Sequence, residues 1–162
     1  MKQEITELIF LVDRSKSMFG AEHMVLDTVN SLISQYRSGK QTCFVSVCLF
    51  SDQLEVIYMH QEDQFIKELS RKDYFVEGNT ALYDAIGDLF SYVENSLSYL
   101  KDEIRKEIHI YIITDGTDNA SILTSYDEFR FLIKQKTAKS WQIHLITVDG
   151  REISPDCLNC YH

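Results

Sequence analysis

Residues 7–17 read ELIFLVDRSKS, an unbroken apolar run, Leu8-Ile9-Phe10-Leu11-Val12, that stops at Asp13 and is followed by Ser15 and Ser17. A short continuous apolar run with a polar stop is the pattern of a parallel strand buried on both faces, since such a strand has no solvent side. Asp13 then leaves the carboxyl end of that strand, which is where open parallel sheets bind their ligands. If the turn after it is extended, every second side chain points the same way. Asp13, Ser15 and Ser17 would then face one point, with residues 14 and 16 facing solvent.

Working outward, Val25, Val29, Leu32, Ile33 and Tyr36 recur at threes and fours and predict an amphipathic helix over 21–36, ending near Ser38-Gly39. Residues 42–50, TCFVSVCLF, form a second buried strand. Leu54, Val56 and Tyr58 follow too closely for a helical crossover, so they predict an antiparallel partner at a sheet edge. Cys43 and Cys48 lie an odd number of residues apart in one strand, face opposite ways and cannot pair. A short helix is expected over 63–69, then the loop VEGNT at 76–80. A long helix follows along Leu82, Ala85, Ile86, Leu89, Phe90, Val93 and Leu97, with Thr80 at its N-cap position. IHIYII at 108–113 is the next strand, halted by Thr114-Asp115-Gly116-Thr117-Asp118; a helix over 126–139 and a strand over 143–148 complete the pattern. The fold class implied is α/β: a Rossmann-like, doubly wound, mostly parallel sheet with one antiparallel edge strand and helices on both faces. One domain is expected over residues 1–162, with its core at 5–149 and a short tail at 150–162.

A chain of 162 residues can bury a core large enough to need no disulfide or metal for stability. Sixteen Lys plus Arg against 25 Asp plus Glu give a net charge of -9, which repels nucleic acid and anionic membrane surfaces. The polar, acidic start lacks a signal h-region and no stretch is long enough to span a bilayer, so a cytoplasmic location is expected. Cys157, Cys160 and His162 in the tail resemble half a zinc site, but the chain offers no second CxxC or HxxxH, and they are read as a loose terminal segment. His23, His60, His109, His144 and His162 are scattered, and none is placed with a serine or cysteine as base and nucleophile. Gly-rich phosphate loops are absent.

The remaining polar signals are oxygen donors at predicted strand and helix ends: Asp13, Ser15 and Ser17, then Thr80, then Asp115. Read singly they are a helix-cap cluster, a cap and a turn. Read together they are two carboxylates and three hydroxyls on loops that converge at one sheet end. With no thiolate or imidazole, that set suits a hard cation, Mg²⁺ or Mn²⁺, and leaves a coordination position open for a partner's carboxylate. Asp118 and Asn119 are expected to stabilise the loop, and Asp84 to be a solvated or capping group. The sequon Asn119-Ala120-Ser121 is read as chance without a secretory signal.

These residues resemble the metal-ion-dependent adhesion site (MIDAS) of the von Willebrand factor A (vWA) domain, the fold of integrin inserted domains and of many intracellular bacterial proteins. The family pattern DxSxS, a later threonine and a later aspartate is matched by DRSKS at 13–17, GNTALYDAI around Thr80 and ITDGTDN around Asp115, over roughly residues 5–149. The resemblance implies a binding module that uses a divalent cation to grip a Glu or Asp of a protein partner, with no catalysis. It also admits an accessory subunit that recruits clients to an ATP-driven bacterial complex. A Mg²⁺-dependent phosphatase or phosphotransfer enzyme also places an aspartate after the first strand, but such chemistry wants a second carboxylate where this chain has Ser15. Many family members carry glycine between the serines. Here Lys16 sets an ammonium beside the metal position, either opposing the ion or helping to hold the partner's carboxylate. The family's last strand and C-terminal helix are not expected in this chain.

Overall fold

The computed structural model describes residues 3–155; Cys157, Cys160 and His162 lie outside the described residues. Strand β1 (Glu4–Asp13) runs into α1 (Glu22–Arg37), then β2 (Thr42–Phe50) and β3 (Leu54–Glu62). These are followed by α2 (Leu82–Ser98), β4 (Arg105–Ile113), α3 (Tyr126–Ala138), β5 (Gln142–Ile146) and β6 (Glu152–Ile153). The strands form one sheet in the order β3-β2-β1-β4-β5-β6. β1 is central and parallel to both neighbours, with Leu8 level with Val45 on one side and His109 on the other. β3 is the antiparallel edge that the short 51–53 connection demands. Chain order reverses between β1 and β4, which opens the crevice expected of a doubly wound sheet.

The unbroken apolar run of β1 feeds two cores. Leu8, Phe10 and Val12 pack with Val25, Val29 and Ile33 of α1, while Ile9 and Leu11 pack with Leu82, Ile86 and Leu89 of α2 and Phe129 and Ile133 of α3. So α1 covers one face and α2 and α3 the other. Cys43 lies in the first core and Cys48 in the second, on opposite faces as their spacing requires, and burial pushes both thiols up to about 12.

Four local expectations are corrected. Only Asp63–Phe65 forms a helical turn, in place of the helix expected over 63–69. There α1 satisfies the backbone instead: Arg37 donates to the carbonyls of Asp63 and Ile66, and Asn30 donates to the Leu69 carbonyl and accepts from its N–H. Thr80 is not the N-cap of α2. That place falls to Ala81, whose side chain cannot cap, and the first-turn N–H groups of Tyr83 and Asp84 donate to Asp118 and Ser121 of a later loop. The strand expected over 143–148 ends at Ile146, because Thr147 accepts from Gly150 and donates to the Arg151 carbonyl in a turn. That turn leads to the two-residue β6, antiparallel to β5, where no further strand was expected.

Candidate functional site

The carboxyl ends of β1 and β4 and the loop entering α2 meet in the crevice, and backbone hydrogen bonds tie the three together. Arg14 N–H donates to the Phe50 carbonyl at the end of β2, and Lys16 N–H to the Gly78 carbonyl at 3.0 Å. Ala81 N–H donates to the Ser51 carbonyl, while Asn119 and Ala120 both donate to the Thr80 carbonyl. The Asn119 side chain accepts from Thr80 N–H at 2.8 Å and closes a reciprocal clasp between the 76–80 loop and the loop after β4. Gly78 is required at its place: its φ of +84 is left-handed, and a Cβ there would meet an Asp52 carboxylate oxygen at 2.6 Å.

Within this frame Asp13 is fully buried and both of its oxygens are engaged. Oδ1 accepts from Ser15 N–H at 2.8 Å and Oδ2 from the Thr114 hydroxyl at 2.8 Å. Burial raises its pKa above the ordinary carboxylate value; the bonds from Ser15 and Thr114 work against that, and the charge of Asp115 adds to it. The Ser15 and Ser17 hydroxyls lie 3.0 Å apart. They are brought together by a 3-10 turn at Lys16–Met18, not by the extended alternation expected. As a result Arg14 does not face solvent: it pairs with Glu55 at 3.0 Å and Glu77 at 3.4 Å and lies over the Phe75 ring. Lys16 and Ser17 are exposed, Ser15 and Thr80 buried, and Asp115 half-buried. One Asp115 oxygen accepts from both the N–H and the hydroxyl of Thr117.

Sequence reasoning missed several supports. Thr114 clamps Asp13 across the crevice, and the Tyr74 hydroxyl donates to the Asp13 carbonyl at 2.6 Å. Thr114 was visible as the residue that ends the β4 run; Tyr74 carried no positional signal. Asp118 and Asn119 hold the loop, as expected of them. Of the two roles expected for Asp84, solvated or capping, it takes the second kind, accepting from the backbone N–H groups of Ile122, Leu123 and Thr124.

The chemistry of the donors left over fits a hard cation. Among the described residues the Thr80 hydroxyl and one Asp115 oxygen have no partner, and Ser15 and Ser17 keep acceptor lone pairs. Among the described residues no group of three or more His, Cys, Asp or Glu side chains is placed to hold a metal ion.

A family model for the von Willebrand factor type A domain matches residues 7–153, and the chain belongs to that family. Domains of this family typically serve in adhesion and protein interaction and are usually non-catalytic. Among solved structures, manganese-loaded TRAP protein of Plasmodium vivax is similar at 18% identity and a TM-score of 0.68, over 99% of this chain and 62% of that one. Proximal thread matrix protein 1 of the mussel byssus is similar at 15% identity and a TM-score of 0.58, over 90% of this chain and 36% of that one. At these identities the likeness is one of fold, and this chain spans less than two thirds of either structure. No curated protein matches by sequence.

Proposed function

We propose that this domain binds Mg²⁺ or Mn²⁺ through Asp13, Ser15, Ser17, Thr80 and Asp115 and docks a protein partner in the cytoplasm by a Glu or Asp carboxylate. The observation that carries the reading is the cross-bracing of three loops by Thr114–Asp13, Lys16–Gly78 and Asn119–Thr80, around hard oxygens that remain uncommitted. A bound ion would supply an electrophilic centre with a position open to a carboxylate. Ser15 and Ser17 are the direct ligands in this reading, and Thr80 ligates directly or through water. Asp13, its oxygens already engaged by Ser15 and Thr114, acts largely through water and supplies the negative charge. The manganese of the TRAP structure supports the choice of ion class.

Titration with Mn²⁺, followed by loss of the free-ion electron paramagnetic resonance signal, tests the site. The expected result is one site per chain, displaced by excess Mg²⁺ and lost in Ser15→Ala and in Asp115→Ala. Stoichiometric binding retained in both variants would place the ion elsewhere and sink the assignment.

A further inference from the structure

Three of the four most exposed large apolar side chains among the described residues stand on the loops of this site: Ile122 at 90%, Leu123 at 82% and Phe19 at 81%. Single exposed apolar residues are ordinary, but these are not loose. The N–H groups of Ile122, Leu123 and Thr124 donate to the Asp84 carboxylate at 2.8, 3.0 and 2.7 Å. Ser121 donates to Asp118 and accepts from Asp84 N–H, so the backbone beneath the two side chains is pinned to the first turn of α2. Phe19 N–H donates to the Lys16 carbonyl, and Gly20 N–H to the Glu22 carboxylate at 2.7 Å. A pinned backbone that holds side chains out in water has already lost the freedom that docking would otherwise remove.

Placement decides what these side chains could meet. Phe19 leads into α1 on one face of the sheet, and Ile122 and Leu123 are tied to α2 on the other face. They therefore stand on opposite sides of the crevice that carries Ser15 and Ser17, with the exposed Lys16 on the same turn as the serines.

We propose that Phe19 on one side and Ile122 with Leu123 on the other select a partner segment whose central Glu or Asp is bracketed by large apolar side chains. This rests on the metal-dependent reading above and adds the partner's flanking chemistry to it. The charge pattern argues for that occupant: cation and Lys16 at the centre attract a carboxylate, while a net charge of -9 opposes an anionic bilayer or a second copy of the chain.

The test uses surface plasmon resonance with the whole chain flowed over immobilised Gly-Ser peptides, in Mn²⁺ and in chelator. One peptide carries Leu-Glu-Phe at its centre, a second Ser-Glu-Ser and a third Leu-Gln-Phe. The expected result is cation-dependent binding of the first at least about tenfold tighter than the second, the scale expected from partial burial of two apolar side chains. The third should not bind. In the double variant Ile122→Ser/Leu123→Ser the preference should fall at least severalfold, while Mn²⁺ affinity and melting temperature stay unchanged because both side chains lie in solvent. Cation-dependent binding of the first two peptides with equal affinity, or a preference untouched by the double variant, overturns this inference and leaves the metal reading standing. No binding of any peptide also overturns it. Binding indifferent to chelator and to the Gln replacement sinks the metal reading itself. Cation-induced self-association lost in the double variant, seen by sedimentation, would assign the surface to a second copy and overturn the proposal.

Discussion

Strand β1 carries two buried carboxyl groups, Glu7 at 3% exposure and Asp13 at 0%, and their surroundings differ sharply. Asp13 is met by a backbone N–H and a hydroxyl, one for each oxygen. Glu7 sits among Ile9, Met59, Val93 and Leu97, and the group facing it is the His60 ring, with Nδ1 at 2.6 Å. Burial pushes the Glu7 carboxyl up to about 8, an effect that Lys106 only partly offsets, and burial lowers the pKa of His60. Both shifts disfavour the charged form of their group. His60 is held there at a left-handed φ of 49, with its ring stacked on Phe44 at 4.2 Å and its N–H donating to the Ser46 hydroxyl. Burial pushes both carboxyls toward neutrality; hydrogen-bond donors oppose that only at the carboxyl end of the strand.

Breaking the Asp13 side of this contrast should have the largest effect. Asp13→Ala removes the carboxylate proposed to act on the ion through water and leaves the Ser15 N–H and Thr114 hydroxyl buried without an acceptor, about 1–3 kcal/mol each. Cation-dependent capture of a carboxylate partner should vanish, while the fold still melts cooperatively at a lower temperature. Capture that persists in this variant and still responds to chelator would refute the role given to Asp13.

The Glu7 side predicts a pH dependence. Its folded pKa lies above its ordinary 4.5, so the folded state holds a proton that the unfolded state has released, and stability falls as pH rises toward about 8. His60 works in the opposite sense, its lowered pKa removing stability as pH falls below its ordinary 6.5. Between pH 6.5 and 8 the contribution of His60 fades and that of Glu7 dominates this pair, and the loss approaches about 1.4 kcal/mol per pH unit as an upper limit. Urea midpoints across that window should fall in the wild type and stay level in Glu7→Gln. A wild-type midpoint that stays level or rises would show that the folded state holds no extra proton at Glu7.

The same contrast marks what the sequence made legible. The unbroken run of β1, the short β2–β3 connection and the threes and fours of α1 and α2 carried the mostly parallel sheet, its antiparallel edge strand and the amphipathic helices, because each is a local consequence of burial. The position of Asp13 at a strand end was legible too, since it stops an apolar run abruptly, and Asp115 follows Thr114 just past the end of another. Glu7 was not: a single acid at the start of a strand has the same period as any edge residue, and its partner His60 comes from β3, 53 positions later. The capping of α2 was hidden for the same reason, as Asp118 and Ser121 reach it from beyond β4. Side chains that satisfy a distant backbone leave no periodicity behind, so 63–69 reads as a helix by pattern even though Arg37 and Asn30 hold it open.

The smallest effect belongs to Lys16, which the sequence left with two opposed roles. Its ammonium is exposed, so its interaction with an ion among the site oxygens is worth about 1 kcal/mol or less and is screened by salt. Lys16→Gly keeps the backbone bond to the Gly78 carbonyl and should leave the melting temperature nearly unchanged. The dication is the higher local charge, so removing the ammonium is expected to tighten Mn²⁺ binding a few-fold at low ionic strength. The gain should disappear near 1 M salt, where the screening length falls to about 3 Å. The same variant should hold the Glu-bearing peptide less tightly at saturating Mn²⁺. If Mn²⁺ affinity is unchanged at low salt while peptide affinity drops, the ammonium reaches the partner's carboxylate and not the ion, and its role narrows to that one contact.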